Sequence, residues 1–158
     1  MTTELHPLGF FLPENTRLLM LGSFPPPRAR WSMDFYYPNI QNDMWRILGL
    51  IFYGNKDAFL RDKKAFSEEK AKAFCREKGI GIGDTAMEVI RLKANASDKF
   101  LEVVRPIDPE KVLSQIPECV AIVVTGQKAM DTLLSVLPGT EEPKVGFSSV
   151  IFLVWEGR

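Results

Sequence analysis

Arg17-Leu18-Leu19-Met20-Leu21-Gly22-Ser23-Phe24-Pro25-Pro26-Pro27 decides the fold class. A short apolar run is stopped by glycine, and three successive prolines forbid a helix immediately after it. The stretch predicts a buried strand feeding a rigid loop. Further along, Asn42-Asp43 precedes Met44, Ile47, Leu48 and Ile51 at helical spacing, predicting a helix capped by one of the two, with those four residues on its buried face. Ser67 opens a second helix, with Ala71, Phe74 and Cys75 on one face and Gly79 as a left-handed stop. Asp108-Pro109 reads as the cap and first residue of a short helix to about Ile116. Val120 to Thr125 is the clearest strand. After Gly126, Met130, Leu133, Leu134 and Leu137 share a helix face that Pro138-Gly139 closes. Ser149 to Trp155 is apolar on both alternating faces, as in a strand held between helix layers. Alternating strands and helices predict an α/β fold, a three-layer α/β/α sandwich around a small, mainly parallel four-stranded sheet. Ligands in such sheets bind beyond the carboxyl ends of the strands, here Gly22 to Phe24 and the turn at Gly126.

The totals narrow the function classes. A chain of 158 residues suits one domain, residues 1–158, and folding at that size hides roughly 70% of the unfolded surface. No apolar run is long enough to span a membrane, and the N-terminus lacks the pattern of a secretory signal, so the expected compartment is the cytoplasm. With two cysteines, Cys75 and Cys119, and one histidine, His6, no four-ligand zinc or iron–sulfur site can be assembled, and no cofactor is expected. His6 falls in an N-terminal arm, which also argues against His-centred triads and the deaminase zinc site. The zero formal net charge speaks against a strongly electrostatic nucleic-acid binder, yet a few arginines around one loop would suffice to grip phosphates. Arg17, Arg28 and Arg30 are the candidates. Gly79-Ile80-Gly81-Ile82-Gly83 imitates a dinucleotide loop, but it follows a helix and has the wrong spacing.

Leu19-Met20-Leu21-Gly22-Ser23-Phe24-Pro25, followed by Tyr36-Tyr37-Pro38-Asn39-Ile40-Gln41-Asn42-Asp43-Met44-Trp45, resembles the uracil-DNA glycosylase superfamily, and within it the hypoxanthine-DNA glycosylase branch. Tyr36 to Trp45 matches the branch motif without a gap, except that its His-Pro is Asn39-Ile40 here. Looser matches run through Gly79 to Asp84, Arg91, Ala96-Ser97-Asp98 and Val123 to Ala129. The resemblance implies a hydrolase that flips a deaminated base, uracil or hypoxanthine, out of DNA and cuts its N-glycosidic bond in base excision repair. It assigns Gly22, Ser23 and Phe24 to the base pocket, Tyr37 to stacking and Asn42 to the catalytic position. Phe24 stands where other branches carry an acidic or amide catalytic group. Family members continue past the last strand into a Pro-Ser loop that probes DNA and a closing helix, so the chain reads as truncated at Arg158. Without that helix, part of one face of the last strand should stay open and favour a homo-oligomer or a poorly soluble monomer.

Residue chemistry is compatible with those roles. Bond cleavage builds positive charge on the sugar and negative charge on the base, so a few well-aimed groups suffice. Backbone N–H groups of Gly22 to Phe24 could bind a base carbonyl, and an amide at Asn42 could hold a water without acting as a true base. Each residue also has an ordinary reading: Asn42 as an N-cap, Tyr36 and Tyr37 as half-buried packing rings, Gly22 as a strand stop, Asp84 as an acid or a turn cap. A fold relative that has lost catalysis and binds nucleic acid or a free base is the competing class.

Overall fold

The computed structural model describes residues 2–93, 97–140 and 152–156, the last five as backbone only. In chain order the elements are β1 (Thr3–Leu5), β2 (Leu18–Gly22), α1 (Met44–Tyr53), β3 (Leu60–Asp62), β4 (Ala65–Phe66), α2 (Glu68–Lys78) and β5 (Ile80–Asp84). There follow β6 (Ala86–Arg91), β7 (Leu101–Pro106), α3 (Pro109–Ser114), β8 (Ala121–Val124), α4 (Gln127–Ser135) and β9 (Phe152–Glu156).

The main sheet has the order β5-β2-β8-β9. Strand β2 is parallel to both neighbours, with Leu18 opposite Ile80 on one side and Ala121 on the other, and β9 joins β8 antiparallel. Side chains alternate across a strand, so a strand apolar at every position must be covered on both faces. That is what β2 does. Met20 packs with Ile80 and Ile82 against Trp45 and Leu48 of α1 and Ala71, Phe74 and Cys75 of α2. Leu19 and Leu21 point the other way, joining Ile122 and Val124 against Val112 of α3 and Ala129, Met130 and Leu133 of α4.

Local signals produced the helix ends. The Ser67 hydroxyl accepts from Lys70 N and Gly79 takes a left-handed φ of 69° at the close of α2, while the Asp108 carboxylate accepts from Lys111 N to start α3. Helix α1 differs from expectation at its far end. Ile51 is 66% exposed, and Leu50, Phe52 and Tyr53 are exposed with it. Gly54 stops the helix before another turn forms, and the burying contacts come from Met44, Trp45 and Leu48 instead.

Two antiparallel sheets were not anticipated. Strands β1-β6-β7 form one and β3-β4 the other. The chain leaves the parallel sheet at Thr85, whose N–H donates to Gly22 O and whose carbonyl accepts from Ile107 N, and β6 then continues in a different sheet. The faces of the last strand, and the self-association expected from them, lie outside the described residues. No described helix is long and apolar enough to cross a membrane.

Candidate functional site

The carboxyl ends of β5, β2 and β8 open into one cleft of about 490 Å³. Gly22 to Pro26 follow β2, Asp84 ends β5, and Thr125-Gly126 follow β8; Tyr36 to Asn39, the start of α1 and Asp98 complete the wall. The five residues assigned from the sequence, Gly22, Ser23, Phe24, Tyr37 and Asn42, all line it.

The loop after β2 is pinned from behind. Thr85 N–H donates to Gly22 O (2.8 Å) and Ala86 N–H to Ser23 O (3.1 Å). Phe24 turns its ring away into a small core with Ala86, Val89 and Leu101, so it offers the cleft backbone rather than a catalytic side chain. Gly22 has a steric reason to be glycine. A Cβ there would lie 2.7 Å from Asp84 Oδ1, 3.2 Å from Tyr37 Oη and 3.5 Å from Thr125 Oγ1. Three polar atoms from three elements thus converge on the space its missing side chain leaves.

Tyr37 sits at φ 53°, a left-handed conformation rarely adopted by a bulky aromatic residue. The preceding carbonyl, Tyr36 O, accepts from Trp45 Nε1–H (2.9 Å), Pro38 O accepts from the Ser32 hydroxyl (2.6 Å), and the Tyr37 hydroxyl pairs with Thr125 Oγ1 (2.9 Å). These bonds hold the aromatic stretch across the cleft from the main sheet. Burial, reinforced by the Asp84 charge, pushes the pKa of the Tyr37 hydroxyl upward, so it remains a neutral phenol.

Asn42 lies exposed at the rim, its carboxamide oxygen accepting from Met44 N–H (2.8 Å). It does the work of a helix cap there, and its carbonyl keeps a second lone pair. Of the three candidate arginines, Arg28 and Arg30 follow the proline loop, whereas Arg17 precedes β2 at the opposite end of the strand from the cleft, its N–H bound to Gly79 O. The three do not form one patch. Arg28 stacks on Trp31 at 4.1 Å and pairs with Asp34 at 3.3 Å, both partners from the same aromatic stretch.

Two residues enter that the sequence reading had not placed. His6 is no loose arm: β1 pairs antiparallel with β6 and delivers the imidazole to Asp84, a residue of the cleft wall, where Nε2 lies 2.7 Å from Asp84 Oδ2 and both side chains are almost fully buried. Its Nδ1 faces the Leu8 carbonyl at 2.8 Å and the Leu8 N–H at 3.1 Å. The second is Asp98, in a short 3₁₀ turn and hydrogen-bonded to the Ser23 side chain. Burial raises its pKa, the Ser23 bond opposes this, the Asp84 charge adds to it, and Lys128 and Arg91 offset it. Position in the chain concealed His6; Asp98 stood in the loosely matching Ala96-Ser97-Asp98 with nothing local to mark it as a wall residue.

A search of solved structures finds a relative: the solution NMR structure of a putative uracil DNA glycosylase from Methanosarcina acetivorans matches with a TM-score of 0.60 and 26% identity, over 82% of this chain and 75% of that one. No protein-family model matches the chain, and no curated protein matches it. The structural likeness supports the superfamily that the sequence resembles and does not reach the branch within it.

Proposed function

We propose that this chain is a monofunctional DNA glycosylase that hydrolyses the N-glycosidic bond of a deaminated base, uracil or hypoxanthine, in DNA. The observation that carries the reading is the cleft itself: a loop pinned at the carboxyl ends of parallel strands faces a tyrosine held in a strained left-handed turn, in a fold similar to that of a putative uracil DNA glycosylase. A base buried in a duplex must be flipped into such a cleft before its bond can be reached. In this reading the flipped base enters between Gly22 to Phe24 and Tyr37. Backbone N–H groups of the loop bind its carbonyl oxygen, and stacking on an aromatic face contributes about 1–3 kcal/mol. Asn42 holds a water through its second lone pair, a positioning role for an amide that cannot act as a base near neutral pH.

Duplexes carrying one uracil or one hypoxanthine test the proposal. Incubation with the protein should leave alkali-labile abasic sites at the deaminated base and none in undamaged controls. Absence of cleavage at both bases would overturn it. Calorimetric binding of free uracil or hypoxanthine without cleavage would place the chain with relatives that have lost catalysis.

A further inference from the structure

The proposed reaction needs negative charge near the sugar, and the loop position where other branches of the resembled family carry an acid or amide holds Phe24, with its ring in the core. A carboxylate elsewhere in the cleft can supply it. Three line it. Asp43 is at the rim with its side chain 73% exposed and salt-bridged to Arg46, where water screens its charge. Asp98 shares its hydrogen bond with Ser23. Asp84 is on the floor, its side chain 6% exposed.

Resting on the glycosylase reading, we propose that Asp84 is the catalytic carboxylate of this cleft and that His6 is its positioning residue. The two carboxylate oxygens have separate tasks. Oδ2 is committed to His6 Nε2 at 2.7 Å, and the imidazole is itself fixed through Nδ1 at Leu8, so the carboxylate cannot rotate freely. Oδ1 is directed to the space above Gly22, 2.7 Å from the point where a side chain there would begin, and Tyr37 Oη lies 3.2 Å from that same point. A reacting group oriented by a second residue, itself oriented by a third, is the general layout of an activated catalytic side chain.

A water oxygen bonds to C1′ of the sugar as the C1′–N bond breaks, and the bonding electron pair leaves on the base. The water's proton passes to Asp84 Oδ1; the departing base takes a proton from solvent, and Asp84 later returns its own to solvent. Several titratable groups among the described residues act with the pair. His6 faces Asp84 directly, the Tyr36 and Tyr37 hydroxyls are both pushed toward the neutral phenol by burial and by the Asp84 charge, and Asp98 is biased toward its neutral form, the Asp84 charge again contributing.

Single-turnover excision by the full chain, on whichever deaminated base it cleaves, tests the assignment. Asp84→Asn keeps the size of the side chain and a hydrogen bond to His6; it should still bind the duplex while the rate falls about 100-fold or more, the usual contribution of a positioned general base. Added formate should restore part of the activity of Asp84→Ala. His6→Phe should slow excision about tenfold, and His6→Gln, which can still donate to Asp84, should recover most of it; a merely structural histidine would not distinguish these two by rate at equal thermal stability. An active wild type whose Asp84→Asn variant stays within about threefold overturns this assignment alone, because that is far below a general base's contribution. A wild type that cleaves neither uracil nor hypoxanthine overturns the glycosylase reading and this one with it.

Discussion

Replacing Gly22 by alanine puts a methyl carbon 2.7 Å from Asp84 Oδ1, about 0.7 Å inside the 3.4 Å at which ordinary contact begins, and 3.2 Å from Tyr37 Oη. Neither oxygen can withdraw cheaply, since Asp84 is clamped by His6 and Tyr37 by Thr125. Overpacking of this kind costs about 1–3 kcal/mol, and loss of glycine's freedom in the unfolded chain returns about 0.4–1 kcal/mol. The net, about 1–2 kcal/mol, lowers Tm by about 2–8 °C for a chain of this size. Two companion substitutions separate stability from chemistry. At Gly83 a Cβ would run into the Phe10 ring, so Gly83→Ala should be the most destabilising of the set while leaving the cleft wall in place. At Gly9 nothing lies within 4 Å and φ is ordinary, so Gly9→Ala should be neutral or raise Tm slightly. Thermal unfolding by circular dichroism, with single-turnover excision on the same samples, gives both readouts. The expected order of destabilisation is Gly83, Gly22, Gly9, with excision lost most at Gly22. A Gly22→Ala protein with wild-type Tm and wild-type excision would refute the convergence of Asp84, Tyr37 and Thr125 on that position.

Asn42→Ala should lower Tm by about 2–4 °C through loss of roughly 1 kcal/mol of capping, whereas Asn42→Asp keeps an acceptor for Met44 N–H and should not; an alanine variant excising at the full wild-type rate would remove Asn42 from the chemistry. Because burial raises the pKa of Asp98 in the folded chain, the folded state holds its proton more tightly than the unfolded one, and stability falls as pH climbs above the ordinary value of about 3.9. Asp98→Asn should accordingly raise Tm at neutral pH, with the gain vanishing in scans below about pH 4, and a gain that persisted there would contradict the sign. Burial pushes the Cys75 thiol up to about 12, and Cys119 is buried as well, so neither should react with a thiol reagent near neutral pH until the chain unfolds. Labelling much faster than unfolding would contradict that burial.

Elements whose signals are local were legible in the sequence. Strand β2, strand β8, the caps of α2 and α3 and the buried faces of α2 and α4 follow from periodicities and cap residues within a dozen positions, and the chain's own backbone geometry enforces them. The buried face of α1 was only half legible, because periodicity marks which residues are apolar and cannot say where tertiary cover stops; Ile51 is apolar, in phase and exposed. Strand β1, Thr3–Leu5, carries too few residues to show a period and pairs with β6 far along the chain, and in β6 two register shifts against β7 break the alternation.

Local signals suffice to place a glycine-proline loop at the end of β2, at the carboxyl edge of a parallel sheet, and an aromatic stretch leading from there into a helix. What stands around that edge depends on long-range pairing. His6 and Asp84 are 78 residues apart and meet because β1 adds to β6, and Thr125 reaches Tyr37 across 88. A hydrogen bond between distant residues leaves no periodicity in either neighbourhood; it exists because folding closes the intervening loop, and the sheet, not the local sequence, fixes which side chains then face each other.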